Sequence, residues 1–217
     1  MKQFAVLGLG NFGYYLATRL HEKGHDVLAV DLDPKRIQEI KDHVGQAIVA
    51  DATDHEAMGS LGLREMDAVI ICIGTNMNQS ILATLLMKEL GVKTVLAKAI
   101  QEPHGRILEK IGADEVLFPE KDLALHLAER LHNPNVLTYL PLTEGYSILE
   151  LAPPKEWIGK SLAELNLITR FGIQVLAIKE FVPERVTNIP TAGFVVKDSD
   201  LLIVMGPNKA LEQLQQK

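Results

Sequence analysis

From residue 3 to residue 132 the chain repeats one pattern: a short apolar run, then a longer stretch whose apolar residues return every three or four positions. Runs of this kind read as buried parallel strands, and the amphipathic stretches read as helices that cover the sheet. Phe4-Ala5-Val6-Leu7 is the first strand, followed by a helix with Phe12, Leu16 and Leu20 on one face that Gly24 ends. After the second strand, Val27-Leu28-Ala29-Val30, Asp33-Pro34 has the N-cap and N1 chemistry of a short helix carrying Ile37 and Ile40. Residues 46–50 form strand three, and Asp54 can cap a small helix with Ala57, Met58 and Leu61. The wholly apolar residues 68–73 read as a central strand. The helix from about Asn78 to Leu90 is expected to turn Ile81, Leu82, Leu85 and Leu86 inward. Residues 94–98 and 115–118 are strands five and six; between them lies a helix with Ile107, Leu108 and Ile111, and after them Pro119 opens a helix with Leu123, Leu127 and Leu131.

The period then changes. Asn133-Pro134-Asn135 breaks the helix, and short β-like runs near 136–142, 146–151, 173–179, 192–196 and 201–205 follow, with a short helix at 161–165 and a terminal helix from about Asn208. The predicted fold is α/β: a Rossmann-like, doubly wound parallel sheet in residues 1–133, followed by a smaller α+β domain in 134–217. A lone core of that second size is marginal, so association with another copy is expected.

Composition narrows the partners. With 23% charged residues and a net charge of −6, the chain holds no electrostatic attraction for nucleic acid or an anionic lipid surface. No segment approaches the roughly 20 uninterrupted apolar residues of a membrane span, so direct insertion is not expected. The start passes straight into a strand pattern and the single Cys72 lies in an apolar run, which reads as a cytoplasmic protein without disulfides.

The chemistry begins at Gly8-Leu9-Gly10-Asn11-Phe12-Gly13, between strand one and helix one. Gly8 permits the tight turn, Gly10 lets backbone N–H groups approach a pyrophosphate, Gly13 lets helix and strand pack closely, and Asp31 can accept from ribose hydroxyls. An adenine nucleotide is the expected ligand. With Leu32 and Asp33 beside Asp31 and no adjacent cation, a 2′-phosphate is disfavoured. Asp51 and Asp54 either border the adenine or cap the next helix. Lys98, ending strand five, and Glu120, after strand six, face the same sheet edge as a cation for phosphates and a candidate metal ligand; an exposed charge at a helix start is the plainer reading of Glu120. All seven His residues precede residue 133 and lack zinc-ligand spacing, and Cys72 reads as a core residue. The second domain thus offers neither imidazole nor thiol for acid/base work, which counts against an enzyme. Trp157, Phe171 and Phe181 read as packing anchors there.

The glycine string resembles the Trk/Ktr potassium-uptake regulatory subunits, the RCK family, together with Val30-Asp31, Asp51-Ala52-Thr53, Ile73-Gly74-Thr75-Asn76, Lys98-Ala99, Ile111-Gly112-Ala113-Asp114 and Pro119-Glu120-Lys121-Asp122. Ser161-Leu162-Ala163-Glu164-Leu165 and Val175-Leu176-Ala177-Ile178 resemble that family's small C-terminal domain. The resemblance implies a cytosolic homo-oligomer, dimers built into an octameric ring, that docks on an integral-membrane potassium channel or transporter and changes its conductance on nucleotide exchange. It implies ATP, ADP or NAD(H) as ligand, with Gly8, Gly10, Asn11, Phe12 and Gly13 on the phosphates, Asp31 on the ribose and Asp51, Ala52 and Thr53 on the adenine side. Ile73, Gly74 and Asn76 fall in the matching loop, Lys98 supplies phosphate charge, and Glu120 matches a cation position at a dimer interface. Several members carry Arg where this chain has Asn11, and that Arg reaches a γ-phosphate in the neighbouring subunit. Losing a charge-assisted bond forfeits on the order of 1.5 to 3 kcal/mol, which lowers the expected preference for ATP over ADP. Some relatives bind cyclic di-AMP through an Arg after the Ser-Leu-x-x-Leu helix; here Leu167-Ile168-Thr169 stands there, with Arg170 later. The rival readings are a small NAD-dependent oxidoreductase and a nucleotide sensor with a non-channel partner.

Overall fold

The computed structural model describes residues 1–132, 136–143, 145–181 and 183–215. Six strands, β1 (Gln3–Leu7), β2 (Asp26–Asp31), β3 (Gln46–Val49), β4 (Ala68–Ile71), β5 (Val95–Lys98) and β6 (Glu115–Leu117), form a parallel sheet in the order β3-β2-β1-β4-β5-β6. Side chains alternate across a strand, so Ala5 and Leu7 join Val69, Ile71, Met87 and Leu108 in the core on one face. Val6 joins Ala17, Val27, Ile37 and Ile70 in the core on the other. Both faces are covered at the centre of the sheet, which is why β4 is apolar and buried throughout.

The connecting helices are α1 (Asn11–Glu22), α2 (Pro34–Ile40), α3 (His55–Gly59), α4 (Met77–Glu89) and α5 (Glu102–Lys110), with α6 (Pro119–His132) after β6. Asp33 caps α2 by accepting from the Lys35 N–H, and Asp54 caps α3 by accepting from those of Glu56 and Ala57. Several leucines expected inward are not. On α4 the sheet is met by Ala83, Leu86 and Met87, while Leu82 and Leu85 stay exposed, as do Ile107 on α5 and Leu123, Leu127 and Leu131 on α6. One helix can carry two apolar faces, and a sheet covers only one of them.

The second sheet is antiparallel: β7 (Val136–Thr143), β8 (Tyr146–Leu151), β9 (Gln174–Phe181), β10 (Glu184–Asn188) and β11 (Leu201–Pro207), in the order β10-β9-β11-β8-β7. Its core gathers Leu149, Leu151, Ile178, Leu202 and Val204 with Trp157, Leu165, Leu167 and Leu211 from α7 (Leu162–Leu165), α8 (Leu167–Phe171), α9 (Asn208–Gln215) and the segment before them. A capping box between Ser161 and Glu164 starts α7. The strand expected at 192–196 reduces to a single bridge between Ser161 and Val195. The polar run of β10 supplies a strand instead, on the sheet edge against β9 alone, where apolar side chains are not required. Phe181 is exposed at the end of β9 rather than anchoring the core.

The chain forms two compact units, Met1–Lys121 and Asp122–Lys217. The expected helix break at Asn133-Pro134-Asn135, and with it the expected domain boundary, lies outside the described residues. Among the described residues no helix is long and apolar enough to cross a membrane.

Candidate functional site

The strand order reverses between β1 and β4, and in open parallel sheets ligands collect in the crevice outside the carboxyl ends at such a point. Here that crevice is a cavity of about 660 Å³. Gly8 leaves β1 with φ +96°, a left-handed conformation that a side chain would strain, and its N–H donates to the Val30 carbonyl at 2.8 Å. The chain then enters α1 with Gly10 at the N-cap, which has no side chain to cap with, and no acidic residue follows in the first turn. The first intrahelical bond runs from the Tyr14 N–H to the Gly10 carbonyl. The N–H groups of Asn11, Phe12 and Gly13 therefore lie at the positive end of the helix without intrahelical acceptors, an arrangement that attracts an anion. The start of α4 differs: there Asn76 accepts from the Gln79 N–H at 3.2 Å and closes the helix end with its own side chain.

On one side of α1, the end of β2 turns the buried Asp31 toward the cavity. Its Oδ2 accepts from the Leu9 N–H at 2.6 Å and its Oδ1 from the Asp33 N–H at 2.8 Å, so the carboxylate is held in place by the glycine loop and by the start of α2. Leu32, Asp33, Arg36, Ala50, Asp51 and Ala52 complete this end. On the other side stand Cys72, Ile73, Gly74, Thr75, Gln79, Lys98 and Glu120. Lys98 is nearly buried and donates to Glu120, with its Nζ 5.8 Å from the centre of the Phe12 ring. Burial pushes the Glu120 carboxyl up, but the Lys98 hydrogen bond, the Glu120 backbone N–H and the Lys98 charge together bring it below its usual range. Burial raises the Cys72 thiol to about 12, against the lowering influence of Lys98. At neutral pH that sulfur is a protonated wall of the cavity, not a nucleophile.

Of the residues expected in the site, Gly8, Gly10, Asn11, Phe12, Asp31, Asp51, Ala52, Ile73, Gly74, Lys98 and Glu120 line this cavity. Gly13, Thr53 and Asn76 stand behind it: Gly13 packs on the Gly8 carbonyl, Thr53 donates its N–H and Oγ1 to Asp51 Oδ1, and Asn76 caps α4. Among the described residues no three His, Cys, Asp or Glu side chains gather as a metal-binding set, and Glu120, the expected cation ligand, is paired with Lys98. Sequence reasoning missed Arg36, whose Nη1 lies 3.2 Å from Asp31 Oδ2. The Asp33-Pro34 helix start was the available signal, because it places residue 36 on the first turn beside the strand end. In the second unit a cavity of about 220 Å³ at Leu162, Leu167, Ile168 and Pro190 has no charged side chain in its lining. Arg170 lines a different one, with Trp157, Lys160 and Phe171.

Comparison with known proteins extends over both units. The TrkA-N domain matches residues 4–119 and the TrkA-C domain residues 146–217. The chain is 38% identical to Ktr system potassium uptake protein A of Bacillus subtilis over 99% of this chain and 96% of that one. It is 41% identical to the protein of that name from Vibrio alginolyticus, over 97% and 94%. Among solved structures, the GsuK channel bound to NAD superposes with a TM-score of 0.66 at 18% identity, over 100% of this chain and 40% of the channel chain. GsuK bound to ADP superposes with a TM-score of 0.53 at 17% identity, over 59% and 34%.

Proposed function

Because the chain belongs to the family that joins a TrkA-N domain to a TrkA-C domain, that of the Ktr and Trk potassium-uptake proteins, we propose that it is the nucleotide-binding regulatory subunit of a potassium channel or transporter. It works at the cytoplasmic face of the membrane, through an integral-membrane partner. The observation that carries this reading is the uncapped start of α1 in the same cavity as Asp31 and Lys98. On this reading Gly8, Gly10, Asn11, Phe12 and Gly13 hold the phosphates of an adenine nucleotide, Asp31 the ribose, Asp51, Ala52 and Thr53 the base, and Lys98 the outer phosphate charge, with Ile73, Gly74 and Asn76 shaping the loop opposite. A cation at Glu120 needs further ligands from a second copy or from the nucleotide itself. The nucleotide domain runs to residue 133 and the regulatory domain from 134.

No bond is made or broken in this scheme. The nucleotide acts by population shift: it biases two assembly geometries by its difference in affinity for them, and a tenfold difference amounts to about 1.4 kcal/mol of work on the partner. The groups in the cavity favour binding over turnover, since Asp31 is committed to backbone N–H groups, Lys98 is paired and the Cys72 thiol stays protonated. Assembly is the role proposed for the second unit; the cavity beside Ile168 offers a phosphodiester no cation, and for cyclic di-AMP the cations stand instead at the cavity of Lys160 and Arg170.

Calorimetry with ADP, ATP, NAD and NADH, light scattering and purification from native membranes test the proposal together. Nucleotide binding, a multimeric mass and a co-purifying potassium-transport subunit are expected. A monomer that binds none of these nucleotides and carries no membrane companion defeats it. Oxidation of NADH with a small carbonyl substrate, lost in Asp31→Ala, would promote the oxidoreductase reading instead.

A further inference from the structure

The ribose end of the cavity holds a cation that the glycine–aspartate fingerprint does not require. Arg36 projects from the first turn of α2 to within 3.2 Å of Asp31 Oδ2, with its side chain 42% exposed against 7% for Asp31. An ionised carboxylate offers about four acceptor positions. The Leu9 N–H, the Asp33 N–H and Arg36 Nη1 take three of them, and the remaining one is on Oδ1. As arranged, Asp31 can accept from one ribose hydroxyl and not from two. A guanidinium carries about five N–H donors in a fixed fork, of which Asp31 engages one, and a hydroxyl oxygen accepts as readily as it donates.

We propose that Asp31 and Arg36 act as one device that reads the vicinal diol of a ribonucleotide, the carboxylate accepting from one hydroxyl and the guanidinium donating to the other. This rests on the adenine-nucleotide reading above. Arg36 is then a specificity residue for an unmodified ribose, and its ion pair with Asp31 is kept on binding rather than broken. Asp33 and Pro34 fix the turn that carries Arg36, so the guanidinium meets the ligand already positioned.

The test is calorimetry of ADP, 2′-deoxy-ADP and 3′-deoxy-ADP on the full chain and on Arg36→Ala, a substitution at a half-exposed position whose folding is checked by circular dichroism. Arg36→Ala is expected to weaken ADP about tenfold, the scale of one hydrogen bond to a charged group. One deoxy analogue should bind the natural chain about tenfold more weakly than ADP and lose that handicap in Arg36→Ala, because hydroxyl and guanidinium are coupled. The other, whose missing hydroxyl faces Asp31, should keep its handicap in both proteins. Equal handicaps in both proteins, or tighter ADP binding by Arg36→Ala, overturn the device and leave nucleotide binding standing. Failure of the natural chain to bind ADP, ATP, NAD or NADH overturns both.

Discussion

At Gly13 a single methyl group separates a packed helix from a displaced one. A Cβ there would lie 2.0 Å from the Gly8 carbonyl oxygen and 3.1 Å from the Cys72 Cβ, so backbone would have to move. Overpacking of this kind costs roughly 3 kcal/mol or more when the obstacle is main chain. Gly13→Ala should therefore lower the unfolding free energy of the first unit, read from a urea titration, by that amount, and an unchanged midpoint would show that α1 can shift freely. Gly10 is the counter-case. Nothing lies within 4 Å of its missing Cβ and its φ of −64° suits any residue, so Gly10→Ala should fold normally. On the proposed reading its methyl would stand where a phosphate approaches the open N–H groups, and ADP affinity should fall at least about tenfold. Wild-type affinity in Gly10→Ala would place the phosphates elsewhere.

Among the elements, β9 and its edge neighbour β10 depend on one buried acid. Glu180, only 2% exposed, accepts from Lys197 Nζ at 2.9 Å, Arg185 Nε at 2.5 Å and Thr187 Oγ1 at 3.1 Å. The Lys197 bond first, and the Arg185 bond next, hold its carboxyl at about 2, well under the ordinary 4.5. The folded state thus resists a proton that the unfolded chain accepts. The stability Glu180 contributes is complete above pH 4.5 and drains as pH falls toward 2. Glu180→Gln should melt lower at neutral pH and show a flatter profile through that window; thermal scans across pH would sink the idea if both slopes matched. The same contacts explain why β10 forms without an apolar run: its Arg185 and Thr187 answer Glu180, and an edge strand has only one neighbour to satisfy.

At the scale of the molecule, the apolar surface left bare is the outstanding feature. Leu123 and Leu131 on α6 are 69% and 73% exposed, and Leu82 and Leu85 on α4 are exposed as well. On α6, Leu123 and Leu131 are large apolar side chains left to solvent, the kind of surface that association covers. The proposed regulation through assembly needs such faces. Leu123→Glu combined with Leu131→Glu should lower the mass measured by light scattering while far-UV circular dichroism stays unchanged. An unaltered mass would move the assembly surface off α6.

Sequence alone determined the parallel sheet and the glycine turn that opens α1. Each of the six strands centres on a short apolar run, and the glycine loop with Asp31 needs only local order: a strand, a turn, a helix and the end of the next strand. These demands act over a few neighbouring residues, so the sequence states them directly. Tertiary structure decided the rest. Lys98 finds Glu120 across 22 residues because β5 and β6 pair in parallel, and Arg36 reaches Asp31 because α2 folds back on the end of β2. Periodicity showed that α4 and α6 carry apolar faces, but not whether anything covers them, since burial belongs to the packing of elements and not to the order of residues within one.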